Sequence, residues 1–133
     1  SMELLSLPKQ DNSEKKLKSL ALHILNDVES SECAVIFKEI WAISERNGVV
    51  KKAIDEYYQK LYAMLFEALK QAGPENCQKQ QLDNAVVILL PFIEGYCITS
   101  SSINVSTKKL SEQLGVILYN LLSESNQINT VET

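Results

Sequence analysis

The chain has 133 residues, 45% of them hydrophobic and 23% charged, with only 4 glycines and 3 prolines. This length predicts one domain with a single core, and the scarcity of Gly and Pro favours helices over sheet. The net charge is −4 and no stripe of Lys and Arg is present. Binding of nucleic acid by this chain itself is therefore not expected, because it lacks the phosphate-binding charge.

The two ends differ in composition from the rest of the chain. Ser1 and Met2 resemble the scar of a cleaved expression tag, and residues 1–11 are interpreted as that scar and a linker remnant. A helical domain is predicted over 12–124, followed by a polar, disordered tail over 125–133. The chain is thus expected to be a piece of a longer protein.

The first helix is predicted from Asn12 to Ser30, with an apolar stripe at helical spacing. The members of this stripe are Leu17, Leu20, Ala21, Ile24, Leu25 and Val28. The second helix, from Cys33 to Glu45, is apolar almost all round, which predicts a central position in the domain. Asn47 and Gly48 are expected to end it as a left-handed cap.

The third helix, predicted from Val49 to Gln71, is the longest, and Gly73-Pro74 stops it. Six of the nine aromatic residues of the chain lie in this helix and the one before it: Phe37, Trp41, Tyr57, Tyr58, Tyr62 and Phe66. Such a cluster either packs a core or lines a cavity with aromatic walls and a few polar hydroxyls.

The fourth helix, about Gln81 to Ser101, contains Pro91, which removes a backbone hydrogen bond and is expected to kink it. Its run AVVILLPFI is too apolar for a helix with one solvent face, so at least two faces should be covered. The fifth helix is predicted from Ser106 to Glu124, with a Leu/Ile stripe and Gly115, which allows close approach of another helix.

Enzymatic chemistry finds little support in the sequence. The one histidine, His23, stands at the margin of an apolar stripe, and no GxSxG, glycine-rich phosphate loop or Glu-x-x-His pair is present. Three widely spaced cysteines favour neither zinc nor a disulfide framework, and Cys33 and Cys97 are expected to be buried thiols. We predict no enzyme activity, no metal and no cofactor.

Two segments carry a resemblance to a known family: IFKEIWAISERNGVVKKAIDEYYQKLYAMLFEAL and LDNAVVILLPFIEGY. They resemble the carboxy-terminal domain of TetR-family transcriptional regulators. In that family a central helix with a Trp ends in a short turn, a long helix with a Tyr follows, and the next helix contains a step like Ile93-Glu94-Gly95. The resemblance covers residues 12–124, and the family's helix-turn-helix head is missing from this chain.

The resemblance implies an all-α fold of five helices that forms a homodimer through its last two helices as a four-helix bundle. The apolar surface of those helices supports the pairing independently. The predicted interface consists of Ile93, Tyr96, Cys97, Leu110, Leu114, Ile117, Leu118 and Leu121.

The resemblance also implies a cytoplasmic regulator, a repressor in the full-length protein, that senses a small hydrophobic effector and reaches DNA only through the missing head. Spacings of three and four place the predicted effector pocket at Phe37, Trp41, Ser44, Tyr58, Tyr62, Leu65, Ile88 and Phe92. The bend at Pro91 is expected to leave room there. The alternative is a stand-alone helical scaffold with a filled interior and no pocket.

Overall fold

A computed structural model of the chain describes the backbone of residues 12–30 and 33–123 and the side chains of 12–29 and 38–123. Over these residues the chain is all-helical, with five helices and no strand, which confirms the predicted fold class. The helices are α1 (Ser13–Ser30), α2 (Cys33–Ser44), α3 (Gly48–Ala72), α4 (Lys79–Thr99) and α5 (Thr107–Ser123). The predicted linker remnant and tail lie outside the described residues.

The turn between α2 and α3 differs from its prediction. Asn47 does not end α2 in a left-handed conformation; it has an extended backbone and caps the start of α3. Its side-chain oxygen accepts hydrogen bonds from the backbone N–H of Val49 at 3.0 Å and of Val50 at 3.3 Å. Asn is suited both to ending a helix in a left-handed conformation and to capping the start of one. Here it caps the start of α3, where its side chain satisfies free backbone N–H groups of that longer helix.

The core is built around α1 and α5, which make the most extensive helix pair of the described chain. Gly115 of α5 lies directly against Lys18 of α1, so an added Cβ would stand 2.7 Å from the Lys18 Cα and 2.8 Å from its backbone nitrogen. The close approach expected at Gly115 is thus made by a helix of the same chain. Around it the two helices bury Leu17, Ala21, Leu25, Leu114, Leu118 and Leu122.

Helix α4 has three distinct sides. One side is buried in the core and consists of Leu82, Ala85, Val86, Leu89, Ile93, Tyr96 and Cys97. A second side carries Asp83 and Glu94, whose carboxylates accept hydrogen bonds from tyrosines of α3. The third side is exposed, and we call it the open face; it consists of Asn84, Val87, Ile88, Pro91, Gly95 and Ile98, within roughly a 100° arc.

Length and composition make α4 the one helix of the described chain that could cross a membrane. Its core-facing side contributes to that composition, but only 33% of its most apolar stretch is buried in the chain. Two of the three sides of α4 are covered within the chain, as its apolar run predicts, and the third is not.

Candidate functional site

A cavity with a volume of about 540 Å³ lies between the end of α2 and the first half of α3. The short, Asn47-capped turn holds these two segments side by side, so both helices contribute to its wall. We call it the first cavity; it is lined by Ile40, Trp41, Val49, Val50, Ala53, Ile54, Tyr57 and Tyr58. Its size falls in the range of sites for small ligands, and its wall is almost entirely apolar.

Aromatic rings form one side of the first cavity. The Trp41 and Tyr58 ring centroids are 5.9 Å apart with a 30° tilt, and Tyr57 meets Tyr58 edge-on at 5.4 Å. Trp41 remains 41% exposed, so the cavity opens to solvent at this ring. These rings therefore offer a preformed apolar surface to a molecule entering from outside.

A second cavity, of about 370 Å³, lies among α1, α3 and α4. Its apolar wall includes Ile24, Leu61, Leu65 and Ile93, and its polar residues are His23, Asp27 and Glu94. Tyr57 and Tyr58 line this cavity as well as the first. The two cavities therefore share one aromatic wall. A third, more open space of about 340 Å³ is lined by Tyr58, Gln59, Tyr62 and Leu90.

Tyrosine–carboxylate hydrogen bonds tie the wall of the cavities to α4. The Tyr58 hydroxyl donates to Glu94, and the Tyr62 hydroxyl donates to Asp83 at 2.7 Å. Asp83 also accepts from the Lys79 ammonium at 3.0 Å. The Tyr62 hydrogen bond, followed by that of Lys79, lowers the pKa of the Asp83 carboxyl, since both stabilise its charged form.

A third tyrosine–carboxylate hydrogen bond joins three helix ends on the opposite side of the core. The Tyr96 hydroxyl of α4 donates to Glu29 of α1 at 2.6 Å and lies 3.1 Å from the Thr107 hydroxyl of α5. Thr107 in turn donates to the other oxygen of Glu29 at 3.0 Å. Glu29 thereby fixes the end of α1 against α4 and α5.

These hydrogen bonds should make the stability of the folded chain decrease at alkaline pH. Burial, followed by the hydrogen bond to Glu94, raises the pKa of Tyr58 above its usual value. Burial, followed by the hydrogen bond to Glu29, raises the pKa of Tyr96 in the same way. A tyrosine whose pKa is raised on folding contributes stability that is complete below its unfolded pKa, about 10, and is lost above it. The free energy of unfolding should therefore fall as the pH rises above about 10, and Tyr58→Phe should flatten that fall.

Urea titrations of wild type and Tyr58→Phe at a series of pH values measure this difference directly. Lysine deprotonation is common to both chains, so the comparison isolates Tyr58. Parallel pH curves for the two chains would contradict the assignment.

The predicted effector residues do not all lie together. Trp41 and Tyr58 line the first cavity, Tyr58 and Leu65 the second, and Tyr62 the third. Ser44 is buried, but its hydroxyl donates to the Trp41 carbonyl of its own helix at 2.8 Å. Ile88 is on the open face of α4, and neither it nor Phe92 lines these three cavities. The Phe37 side chain lies outside the described residues.

Sequence reasoning missed residues in both cavities. Val49, Val50, Ala53 and Ile54 begin α3 and line the first cavity, yet their apolar spacing is the same as that of a core stripe. Glu94 was noted only as part of a sequence step, although it lines the second cavity. An acidic residue inside an otherwise apolar helix is the signal that could have indicated it.

The predicted interface residues fall into two groups. Ile93, Tyr96, Cys97, Leu114 and Leu118 are buried within the single chain. Leu110 and Leu121 are half-buried, and Ile117 is 50% exposed. The open face of α4 thus presents more free apolar surface than the residues named from the sequence. The pairing itself stays a prediction.

The oxidation state of Cys97 differs from its prediction. Cys97 is buried but disulfide-bonded, so the expectation of a thiol there is wrong, while the Cys33 side chain lies outside the described residues. Cys77 is free, and burial raises the pKa of its thiol. Across the described part of the chain, no three His, Cys, Asp or Glu residues are grouped so as to hold a metal ion.

Comparison with known proteins gives one informative likeness. The chain is 32% identical over 112 residues to a protein of Xanthobacter autotrophicus described as an uncharacterized HTH-type transcriptional regulator in the dhlA 5′ region. The match covers 84% of this chain and 54% of the relative, so the chain spans about half the length of the curated relative it matches. No family model matches the chain, and no solved structure matches it significantly. The likeness supports a role in transcription regulation.

Proposed function

We propose that this chain is the effector-binding and dimerisation part of a TetR-like transcriptional regulator, acting as a repressor in the cytoplasm. The first cavity is the observation that carries this proposal. A preformed apolar space of about 540 Å³ with an exposed tryptophan and two tyrosines suits a small, mostly apolar effector. DNA binding is assigned to a helix-turn-helix outside this chain, in keeping with the name and greater length of the relative.

The contacts of Tyr58 suggest how an effector would act on the rest of the domain. Its ring is part of the first cavity and its hydroxyl is bonded to Glu94 of α4. A ligand that moves the ring therefore disturbs a contact between α3 and α4. An effector with different affinity for the two arrangements shifts the population between them, and α4 carries the shift to the dimer partner.

The open face of α4 is the surface we assign to that partner. Apart from Asn84 it is apolar, and it is exposed over several turns, with Gly95 in its carboxy-terminal half. A Cβ at Gly95 would meet no atom of the described residues within 4 Å, so a second copy of α4 has room to approach closely. In a twofold dimer this face would pack against itself, as an isologous interface requires.

Thermal unfolding in the presence of small apolar and aromatic compounds tests the effector site. A compound that binds only the folded chain should raise the melting temperature by ~10 °C at a hundredfold excess over its Kd. Ala53→Phe should abolish the increase, because Ala53 lines the first cavity and a phenyl group there would occupy the space that a ligand needs. Ala63→Phe is the matched control, since Ala63 is exposed on the same helix and outside the three cavities.

Two results would count against the site. If a broad panel of apolar and aromatic compounds leaves the melting temperature unchanged, the alternative of a helical scaffold without a ligand pocket is favoured. If compounds stabilise Ala53→Phe and wild type equally, they bind elsewhere.

A further inference from the structure

The second cavity differs chemically from the first. Its wall includes the apolar side chains of Leu61, Leu65 and Ile93, but it also includes the partly buried carboxylate of Glu94. At its rim the exposed side chains of His23 and Asp27 pair at 3.2 Å. Two carboxylates and one imidazole therefore surround an apolar space of about 370 Å³.

We infer that the second cavity binds an amphipathic amine, whose ammonium group pairs with Glu94 in place of the Tyr58 hydroxyl. The inference deepens the proposed function, on which it rests, by naming a class of effector. The apolar part of such a molecule would contact Leu61, Leu65 and Ile93, as a ligand with one polar end requires.

Charge selects the amine over a neutral or acidic molecule of the same shape. A carboxylate beside apolar walls needs hydrogen-bond donors, and its bond to an ammonium, which pairs two opposite charges, is stronger than its bond to a neutral hydroxyl. Because burial and Glu94 raise the pKa of Tyr58, its hydroxyl remains a neutral donor at physiological pH. An anionic ligand would place like charge beside Glu94 and Asp27 and should be rejected.

Displacement of the Tyr58 hydroxyl from Glu94 would also change the first cavity. The Tyr58 ring belongs to both cavities and lies 5.9 Å from the Trp41 ring. Release of its hydroxyl from Glu94 frees the ring to rotate. An amine in the second cavity should therefore change the emission of Trp41, the only tryptophan of the chain, without touching it.

Calorimetric titration with phenylbutylamine, phenylbutanol and phenylbutyrate tests the charge preference, since these probes share one shape. The amine should bind at least about tenfold more tightly than the alcohol, given the strength of hydrogen bonds to charged groups, and the acid least tightly. Glu94→Gln should remove the preference for the amine and preserve binding of the alcohol. Tyr58→Phe should raise the affinity for the amine, because no hydroxyl then competes for Glu94.

A matched pair of variants locates the binding. Ala68→Phe should block the amine, because Ala68 lines the second cavity, whereas Ala63→Phe should not. Equal binding of amine and alcohol, or a preference that survives in Glu94→Gln, would overturn this inference and leave the first cavity as proposed. Failure of all three probes would also overturn it, while the Ala53→Phe comparison decides separately on the proposed function.

Discussion

Replacement of Gly115 by alanine should destabilise the chain by about 3 kcal/mol, the upper part of the usual range for overpacking. The added methyl would lie 2.4 Å from the Lys18 Cγ and within 2.8 Å of two Lys18 backbone atoms. A side chain can rotate away, but backbone cannot, so α1 and α5 must separate. That separation would loosen Leu17, Ala21 and Leu118, which are fully buried between them.

Thermal or urea unfolding of Gly115→Ala gives the measurement, and a decrease of ~10 °C in melting temperature is expected. Gly48→Ala is the control, because a Cβ at Gly48 meets nothing within 4 Å. Since alanine also favours helix over glycine, the control should be neutral or slightly more stable than wild type. Equal stability of the two variants would show that α1 and α5 are not in the close contact described.

Replacement of Gly95 by arginine should convert a dimer into a folded monomer. The position is on the open face of α4, in its carboxy-terminal half, and the described residues leave space around it, so the monomer tolerates the side chain. In a twofold interface the substitution introduces two like charges into a contact that excludes water. The dissociation constant should rise at least ~100-fold, which is the scale of an uncompensated buried charge.

Sedimentation at tens of micromolar distinguishes the two states, and circular dichroism confirms that the variant is helical. Gly48→Arg supplies the control, as an equally unhindered glycine away from α4. Wild-type chain that sediments as a monomer, or Gly95→Arg that remains a dimer, would remove the open face as the interface.

The order and bounds of the helices follow from sequence, because each apolar stripe is interrupted by polar or Gly-Pro segments. The arrangement of α4 does not follow from it. In the run AVVILLPFI every side is apolar, so periodicity cannot separate the core side from the open face. This ambiguity explains why Ile88 was predicted in the pocket and Ile93 in the interface, whereas Ile88 is exposed and Ile93 is buried in the core.

The candidate site was only partly predictable for a related reason. Trp41 and Tyr58 could be paired from their positions on consecutive apolar helices, and they do lie together. Gly115 correctly indicated a close helix contact, but a glycine cannot specify whether its neighbour is in the same chain. The hydrogen bond between Tyr58 and Glu94 joins residues 36 positions apart, which no local pattern reveals.

Quenching of Trp41 fluorescence by acrylamide tests the effector site most directly. Trp41 is the only tryptophan, lines the first cavity and is 41% exposed, so a quencher reaches it in the free chain. A compound that raises the melting temperature of wild type should shield Trp41 and lower the quenching constant, and it should do neither in Ala53→Phe. A compound that stabilises the chain while Trp41 is quenched as readily as before would contradict an effector site in the first cavity.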